Sequence, residues 1–314
     1  MATIDVTGTQ QLNIQVVEHG GLAWYDLRHP GLAEMEYLKN HFPFHPLDLD
    51  DCRSRVQLPK LDEYPSYVFM VLHFPLYDAR QRLTRPSQVA VFAGPTYIVS
   101  VHSGDLRPLT KLFQDALVSA EVRKDAMGHG SGFLLYTLLD RLVDYCGPIL
   151  NKLISNVDTV ESQMLERTSG VLQELAVARR DILSYRRVVR PQIQVLETLE
   201  NKEFPFLKLE SGVYFGDQAD QMRRIWVELE ELKEVSEGLQ ETHAAVTSEH
   251  TNEVIRVLTL FASIMLPLTV ITGLYGMNVG LPGQGSMFAF ASIVGGMAVL
   301  SIGMLAFFWK RDWL

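Results

Sequence analysis

The sequence predicts an α+β membrane protein: an N-terminal cytosolic α/β domain, a long helical stalk, and a C-terminal hairpin of two transmembrane helices. Three observations carry that expectation. From Val257 to Trp309 the 314-residue chain has no Asp, Glu, Lys, Arg or His. Residues 1–125 alternate β-branched and aromatic runs with helix-like pieces, and between these regions the apolar residues keep a helical period with few breaks.

The overall 21% charged and 47% hydrophobic composition averages two unlike parts. Residues 1–256 hold 26 basic and 36 acidic side chains and so carry −10, against −9 for the whole chain. An acidic domain repels nucleic acid and attracts cations, which argues against a nucleic-acid partner. Cys52 and Cys146 are far apart, form no C-x-x-C pair and cannot make a zinc site alone, so a reducing compartment is expected. The start "MATIDVTGTQQLNIQ" lacks the basic and apolar regions of a signal peptide, and the large domain is expected to stay in the cytosol.

Within residues 1–125, "SYVFMVLHFPLYD" (66–78) and "SQVAVFAGPTYIVSVHS" (87–103) read as strands, with Gly94-Pro95 as a hairpin turn. "LTKLFQDALVSAEV" (109–122) has helical spacing. Residues 126–256 read as helical. "FLLYTLLDRLVDYCGPILNKLISNVDTVESQMLE" and "VLQELAVARRDILSYRRVVRPQIQVLETL" form an antiparallel pair with Thr168-Ser169-Gly170 at the turn. From Asp217 there is no proline until Pro267, which predicts one stalk helix of about 50 residues, a rod of roughly 75 Å. Such a rod cannot bury its apolar stripe alone and needs partner helices.

Enzyme constellations do not emerge. There is no Walker loop, G-x-S-x-G, H-E-x-x-H or metal-spaced Cys/His cluster, so covalent catalysis is not expected. Pro43 between His41 and His45 argues against their sharing a helical face, and the pairs Arg179-Arg180 and Arg186-Arg187 read as a solvated helix face.

Residues 257–275 and 288–309 are each near the length that crosses a hydrocarbon core as helix. Arg256, Lys310 and Arg311 flank them, and the connector 276–287 has no basic residue. Both termini are therefore expected in the cytosol, with 310–314 as a short basic tail. Trp309, Trp313 and Tyr275 suit the aromatic belts. Gly295, Gly296 and Gly303 in the second span suit close helix packing. In the first, Asn252, Ile255, Thr259, Ala262, Leu266, Thr269, Gly273 and Gly276 recur three or four apart. That face either lines a pathway or carries hydroxyls bonded back to their own helix and small residues for packing.

The segment "TNEVIRVLTLFASIMLPLTVITGLYGMN", followed by a second span and "KRDWL", resembles the CorA family of divalent-cation channels, whose members share two spans and a Gly-Met-Asn signature. "QLPKLDEYPSYVF", "SQVAVFAGPTYIVSVH" and "FLLYTLLDRLVDYCGPIL" resemble family segments in the same order, so the resemblance covers most of the chain. It implies a homopentameric funnel in the cytoplasmic (inner) membrane, with the first spans around the pore and no cofactor beyond divalent ions as substrate and regulators. Gly276, Met277 and Asn278 would form the signature, with five Asn278 carboxamides ringing the outer mouth. Neutral carbonyl oxygens hold the water shell of a hydrated cation, which suits magnesium, an ion reluctant to dehydrate.

By the same resemblance, Thr269 would add a second polar ring, Leu266, Leu258 and Ile255 the apolar constriction, and Asn252 the inner ring. The family often has Met where this chain has Leu266 and Ile255. Asp217, with Asp220 three residues on, would bind regulatory metal between subunits; the competing reading makes both simple helix N-terminal acids. The connector "VGLPGQGS" lacks the acidic residues of many magnesium-transporting members and is similar to the ZntB branch, associated with zinc. Magnesium, cobalt, nickel and zinc stay open, with zinc raised. The alternative from another class is a non-conducting, metal-sensing membrane scaffold.

Overall fold

The computed structural model describes residues 12–54, 57–165, 170–277, 279–281 and 285–311. They fall into two compact units, Met1–Leu239 and Gln240–Leu314. The first unit holds strands β1 (Ile14–His19), β2 (Leu22–Arg28), β3 (Lys60–Glu63), β4 (Val68–Asp78), β5 (Leu83–Ala93) and β6 (Tyr97–His102). It also holds helices α1 (Leu32–His41), α2 (Pro46–Arg53), α3 (Arg107–Val118), α4 (Ala120–Met127), α5 (Ser131–Asp144), α6 (Cys146–Leu165) and α7 (Val171–Asn201).

The strands form one mixed sheet in the order β1-β2-β6-β5-β4-β3, in which β2 and β6 run parallel and all other neighbours antiparallel. Gly20 and Gly21, both at positive φ, make the two-residue turn that joins β1 to β2. The expected Gly94-Pro95 hairpin joins β5 to β6, with the Gly94 amide bonded to the Tyr97 carbonyl at 2.9 Å.

Helices cover both faces of the sheet, which explains why β4 reads as a nearly unbroken apolar run. Val68, Met70, Leu72 and Phe74 face a core shared with α3 to α7, while Phe69 and Val71 face a second core with Met35, Leu38, Leu49 and Cys52 of α1 and α2. The larger core runs without a break from Val17 to Leu232, so residue 125 marks no boundary: the helices after it supply one of the sheet's two coverings.

The helical boundaries differ from the sequence expectation at three places. The segment 109–122 breaks at Ser119, whose hydroxyl caps α4 by accepting from the Val122 amide at 3.3 Å. The long helix after Gly132 breaks at Tyr145, because Pro148 has no N–H to give the Asp144 carbonyl. The stalk helix α8 spans Ser211–Tyr275, 65 residues, and so starts six residues before Asp217. Its first turns are held by the burial of Phe215 and Ala219, which outweighs the helix-weakening Gly212 and Gly216.

The arginine pairs also do more than face solvent. Arg186 is bonded to Glu230 and lies 4.9 Å over the Trp226 ring, and Arg179 reaches Glu237 at 3.3 Å, so one member of each pair ties α7 to α8. Arg180 and Arg187 are the exposed members. His41 and His45 have separate roles: Nδ1 of His41 meets the Tyr37 carbonyl at 2.8 Å, and His45 caps α2.

A polar cluster, fully buried except for Arg28, links β2 to β6. Trp24 Nε1 donates to Ser100 Oγ at 3.0 Å, and the Ser100 hydroxyl donates to Asp26 Oδ1 at 2.8 Å. His102 Nδ1 accepts from the Gly104 amide at 3.0 Å, so Nε2 carries the proton that it donates to Asp26 Oδ1 at 2.8 Å. Arg28 Nε completes the set at 2.9 Å from Oδ2. Burial would raise the Asp26 carboxyl, but the bonds from His102, Ser100 and Arg28 outweigh it and hold the group below the ordinary carboxylate range.

Candidate functional site

The second unit consists of the last part of α8 and of α9 (Met287–Lys310). Both helices are long and apolar enough to cross a membrane by length and composition. No described residue of α9 is buried, and in α8 beyond residue 240 only Leu260 is. A surface like this is stable only against lipid or other chains.

Because α8 is one continuous helix past Pro267, the spacing of the candidate residues can be turned into angles. At about 100° per residue, Asn252, Ile255, Leu258, Thr259, Leu266, Thr269, Gly273 and Gly276 fall within an arc of about 120°. The stripe is exposed: Leu258 is 69%, Leu266 66% and Ile255 55% accessible, and Asn252 and Thr269 are exposed as well. Thr259 and Thr269 donate their hydroxyls to the carbonyls of Ile255 and Met265, at 2.7 and 2.8 Å. This is the back-bonded arrangement that competes with pathway lining. It nevertheless leaves each oxygen with lone pairs directed away from the backbone.

Helix α8 ends at Tyr275, where the Gly276 amide bonds to the Thr272 carbonyl at 2.8 Å. A Cβ at Gly276 would stand 3.0 Å from that same oxygen, so the closing turn is tight for any larger residue. Met277 follows and is half exposed. Asn278, the last residue of the signature, and Trp313 lie outside the described residues.

Asp217 and Asp220 are both exposed on the first turns of α8 but have different surroundings. Asp220 is paired with Arg223 at 2.5 Å, and Arg223 also holds Glu197 and Glu200 of α7, at 3.0 and 3.2 Å. Its carboxylate is ion-paired within the chain, although one guanidinium shared by three carboxylates leaves that cluster net negative. Asp217 instead faces α5: burial raises the Asp140 carboxyl above its ordinary range, and the charges of Asp144 and Asp217 raise it further. Asp140 and Asp144 are the acidic neighbours that sequence reading did not place beside Asp217. Their i, i+4 spacing was visible, but their approach to a helix some 75 residues later is a tertiary matter. Among the described residues no group of three or more His, Cys, Asp or Glu is arranged to hold a metal ion.

A putative metal ion transporter, YfjQ, of Bacillus subtilis is 29% identical over 308 residues, 97% of this chain and 94% of its own. The cobalt/magnesium transport protein CorA of Thermotoga maritima is 29% identical over 279 residues, 87% of this chain and 78% of its own. The complete structure of the CorA magnesium transporter from Methanocaldococcus jannaschii superposes with a TM-score of 0.82 at 19% identity, covering 99% of this chain and 95% of that one. The family model described as CorA-like Mg2+ transporter protein matches residues 19–311. The chain therefore belongs to the CorA-like family of membrane metal-ion transporters, which are not enzymes.

Proposed function

We propose that the chain is one subunit of a homopentameric pore that moves hydrated divalent cations across the cytoplasmic membrane. The observation that carries this reading is the exposed stripe on α8, from Asn252 to Gly276, leading into the Gly-Met-Asn signature of a family whose members transport metal ions. In a pentamer the stripe turns to the axis. Five Asn278 carboxamides ring the outer mouth and bond the cation's water shell; Thr269 adds a ring of hydroxyl oxygens; Leu266, Leu258 and Ile255 make the apolar constriction; Asn252 rings the inner mouth. Arg256, Lys310 and Arg311 hold both termini on the cytosolic side.

The connector's lack of carboxylates leaves little local attraction for cations, so the membrane potential or a proton gradient supplies the drive. Magnesium and zinc are the ions to compare first. For regulation we place Asp217 ahead of Asp220, since Asp220 has an ion-pair partner in Arg223 while Asp217 faces the acidic Asp140. A divalent ion bridging carboxylates at Asp217 would hold subunits together, and its loss would loosen the closed state.

The test is uptake into proteoliposomes loaded with a magnesium- or zinc-sensitive dye, with and without an imposed pH gradient. Wild type should fill the vesicles, and Asn278→Ala should lower the rate at least tenfold while leaving the oligomer intact. No uptake of either ion by a verified pentamer under either gradient would refute conduction.

A further inference from the structure

In the first unit, a cavity of about 70 Å³ lies between the hairpin of β4 and β5, α6 and α7. A space of that size admits an ion with a few waters and no organic ligand. Asp181 of α7 is the unusual member of its lining, a carboxylate only 3% exposed. Its Oδ1 accepts from the Thr84 amide at 2.5 Å, while its Oδ2 has no hydrogen-bond partner among the described residues. Oδ2 is not sealed off by the packing, so it is the atom through which Asp181 meets the cavity.

No side chain answers this buried charge. Among the described residues Asp181 makes no ion pair. Arg82, on the same wall, is taken by Glu174 through two bonds of 3.0 and 2.5 Å. The Lys152 ammonium lies 3.6 Å over the Tyr77 ring instead of on the carboxylate. Burial raises the Asp181 carboxyl above its ordinary range, and neither the Thr84 amide nor the charge of Lys152 cancels that effect. The rest of the wall offers neutral oxygens. Thr159 gives its proton to the Ser155 carbonyl at 2.8 Å, which leaves the lone pairs of its oxygen free. The carboxamides of Asn156 and Gln163 bond to no described residue. With Glu174 and Arg82 cancelling, the lining carries one net negative charge.

We propose that this cavity binds a monovalent metal cation, sodium or potassium, on Asp181 Oδ2 and the neutral oxygens of Asn156, Thr159 and Gln163. Carboxylate, carbonyl and hydroxyl oxygens are hard donors and suit hard cations. The charge selects the valence: one positive charge neutralises the lining, whereas a divalent ion would leave it net positive beside Arg82 and Lys152. A bound ion joins α6 to α7 where the hairpin docks on them. The site stands independently of ion conduction, since all its residues belong to the first unit.

The test is thermal unfolding of the full-length protein in detergent micelles and EDTA, in sodium, potassium or choline chloride. Choline is too large for the cavity and holds the ionic strength equal. In wild type, sodium or potassium should raise the melting temperature saturably, by at least about 2 °C over choline, because an ion bound only to the native state stabilises it. The larger increment identifies the ion. Asp181→Asn keeps an acceptor for the Thr84 amide, removes the charge and should lose the increment. Gln163→Ala removes one neutral oxygen from a half-buried position; it should melt as wild type does in choline and raise the half-saturating salt concentration at least about threefold. This second variant decides the matter where Asp181→Asn does not fold. Equal melting of wild type in all three salts, or an increment that survives unchanged in the variants, would overturn the proposal. So would an Asp181-dependent increment from magnesium chloride, without EDTA, that neither monovalent salt produces.

Discussion

The two compact units solve the problem of apolar surface in opposite ways. In Met1–Leu239, Leu134, Leu135, Leu138 and Leu139 of one helix are all fully buried, because α5 packs between other helices and the sheet. In Gln240–Leu314, Leu258, Phe261 and Leu266 of one helix are each about two-thirds exposed. The residue types are the same and the secondary structure is the same. Apolar patterning within a helix therefore says that a surface must be covered, while the covering agent is its own chain in the first case and lipid or other subunits in the second.

The largest expected effect probes the self-sufficient unit at its most costly point. Asp26→Ala removes the acceptor shared by His102, Ser100 and Arg28 and should destabilise the unit by about 3–5 kcal/mol, measured by denaturant unfolding. Because the folded-state carboxyl is held below its unfolded value, its stabilisation is present above pH about 4 and lost as pH falls through the folded value. The penalty of the substitution should accordingly shrink in acid. A wild-type-like unfolding curve at neutral pH would show that the cluster is not a structural tie.

The comparison itself is sharpened by one pair of leucines. Leu138→Ala should cost about 2–5 kcal/mol in the same assay, by lost transfer energy and a residual cavity. Leu266→Ala should move that transition by less than about 0.5 kcal/mol and instead change cation leak through the constriction in the vesicle assay. Equal destabilisation by both would erase the distinction between the units.

The smallest effect concerns the acidic approach of α5 to α8. Asp140 has a raised carboxyl, so it favours the folded state below its unfolded value and loses that contribution as pH rises through the folded value. At neutral pH in chelator, Asp140→Asn should raise stability by under about 1 kcal/mol, because the group is only partly buried and screened. The gain should vanish below pH about 4. A loss of stability at neutral pH would mean that its ionised form is satisfied in the native protein.

Much of this was legible before the structure. The hairpin at Gly94-Pro95, the uninterrupted α8 and the stripe from Asn252 to Gly276 are all local or periodic, and local patterns are written directly in residue order. The break at Ser119 was also visible as capping chemistry, but the helical period running through it was the louder signal. What could not be read was any feature that depends on which distant segments meet. Nothing in the runs themselves says that β2 pairs with β6 across some seventy residues, or that Asp140 stands beside Asp217 while Asp220 shares Arg223 with two glutamates of α7.

By itself the sequence determined the long helical runs, the strand character of β4 to β6 and which block cannot remain in water, and it put the candidate residues of α8 on one helical face. These follow from the period of each element and from the preference of each side chain for water or hydrocarbon, properties that neighbours a few residues away suffice to express. Only the tertiary structure decided which charges are neutralised and which are left open. That outcome depends on distances of a few ångströms between residues far apart in the chain, and Coulomb and hydrogen-bond energies change over those distances far more steeply than any sequence pattern can encode.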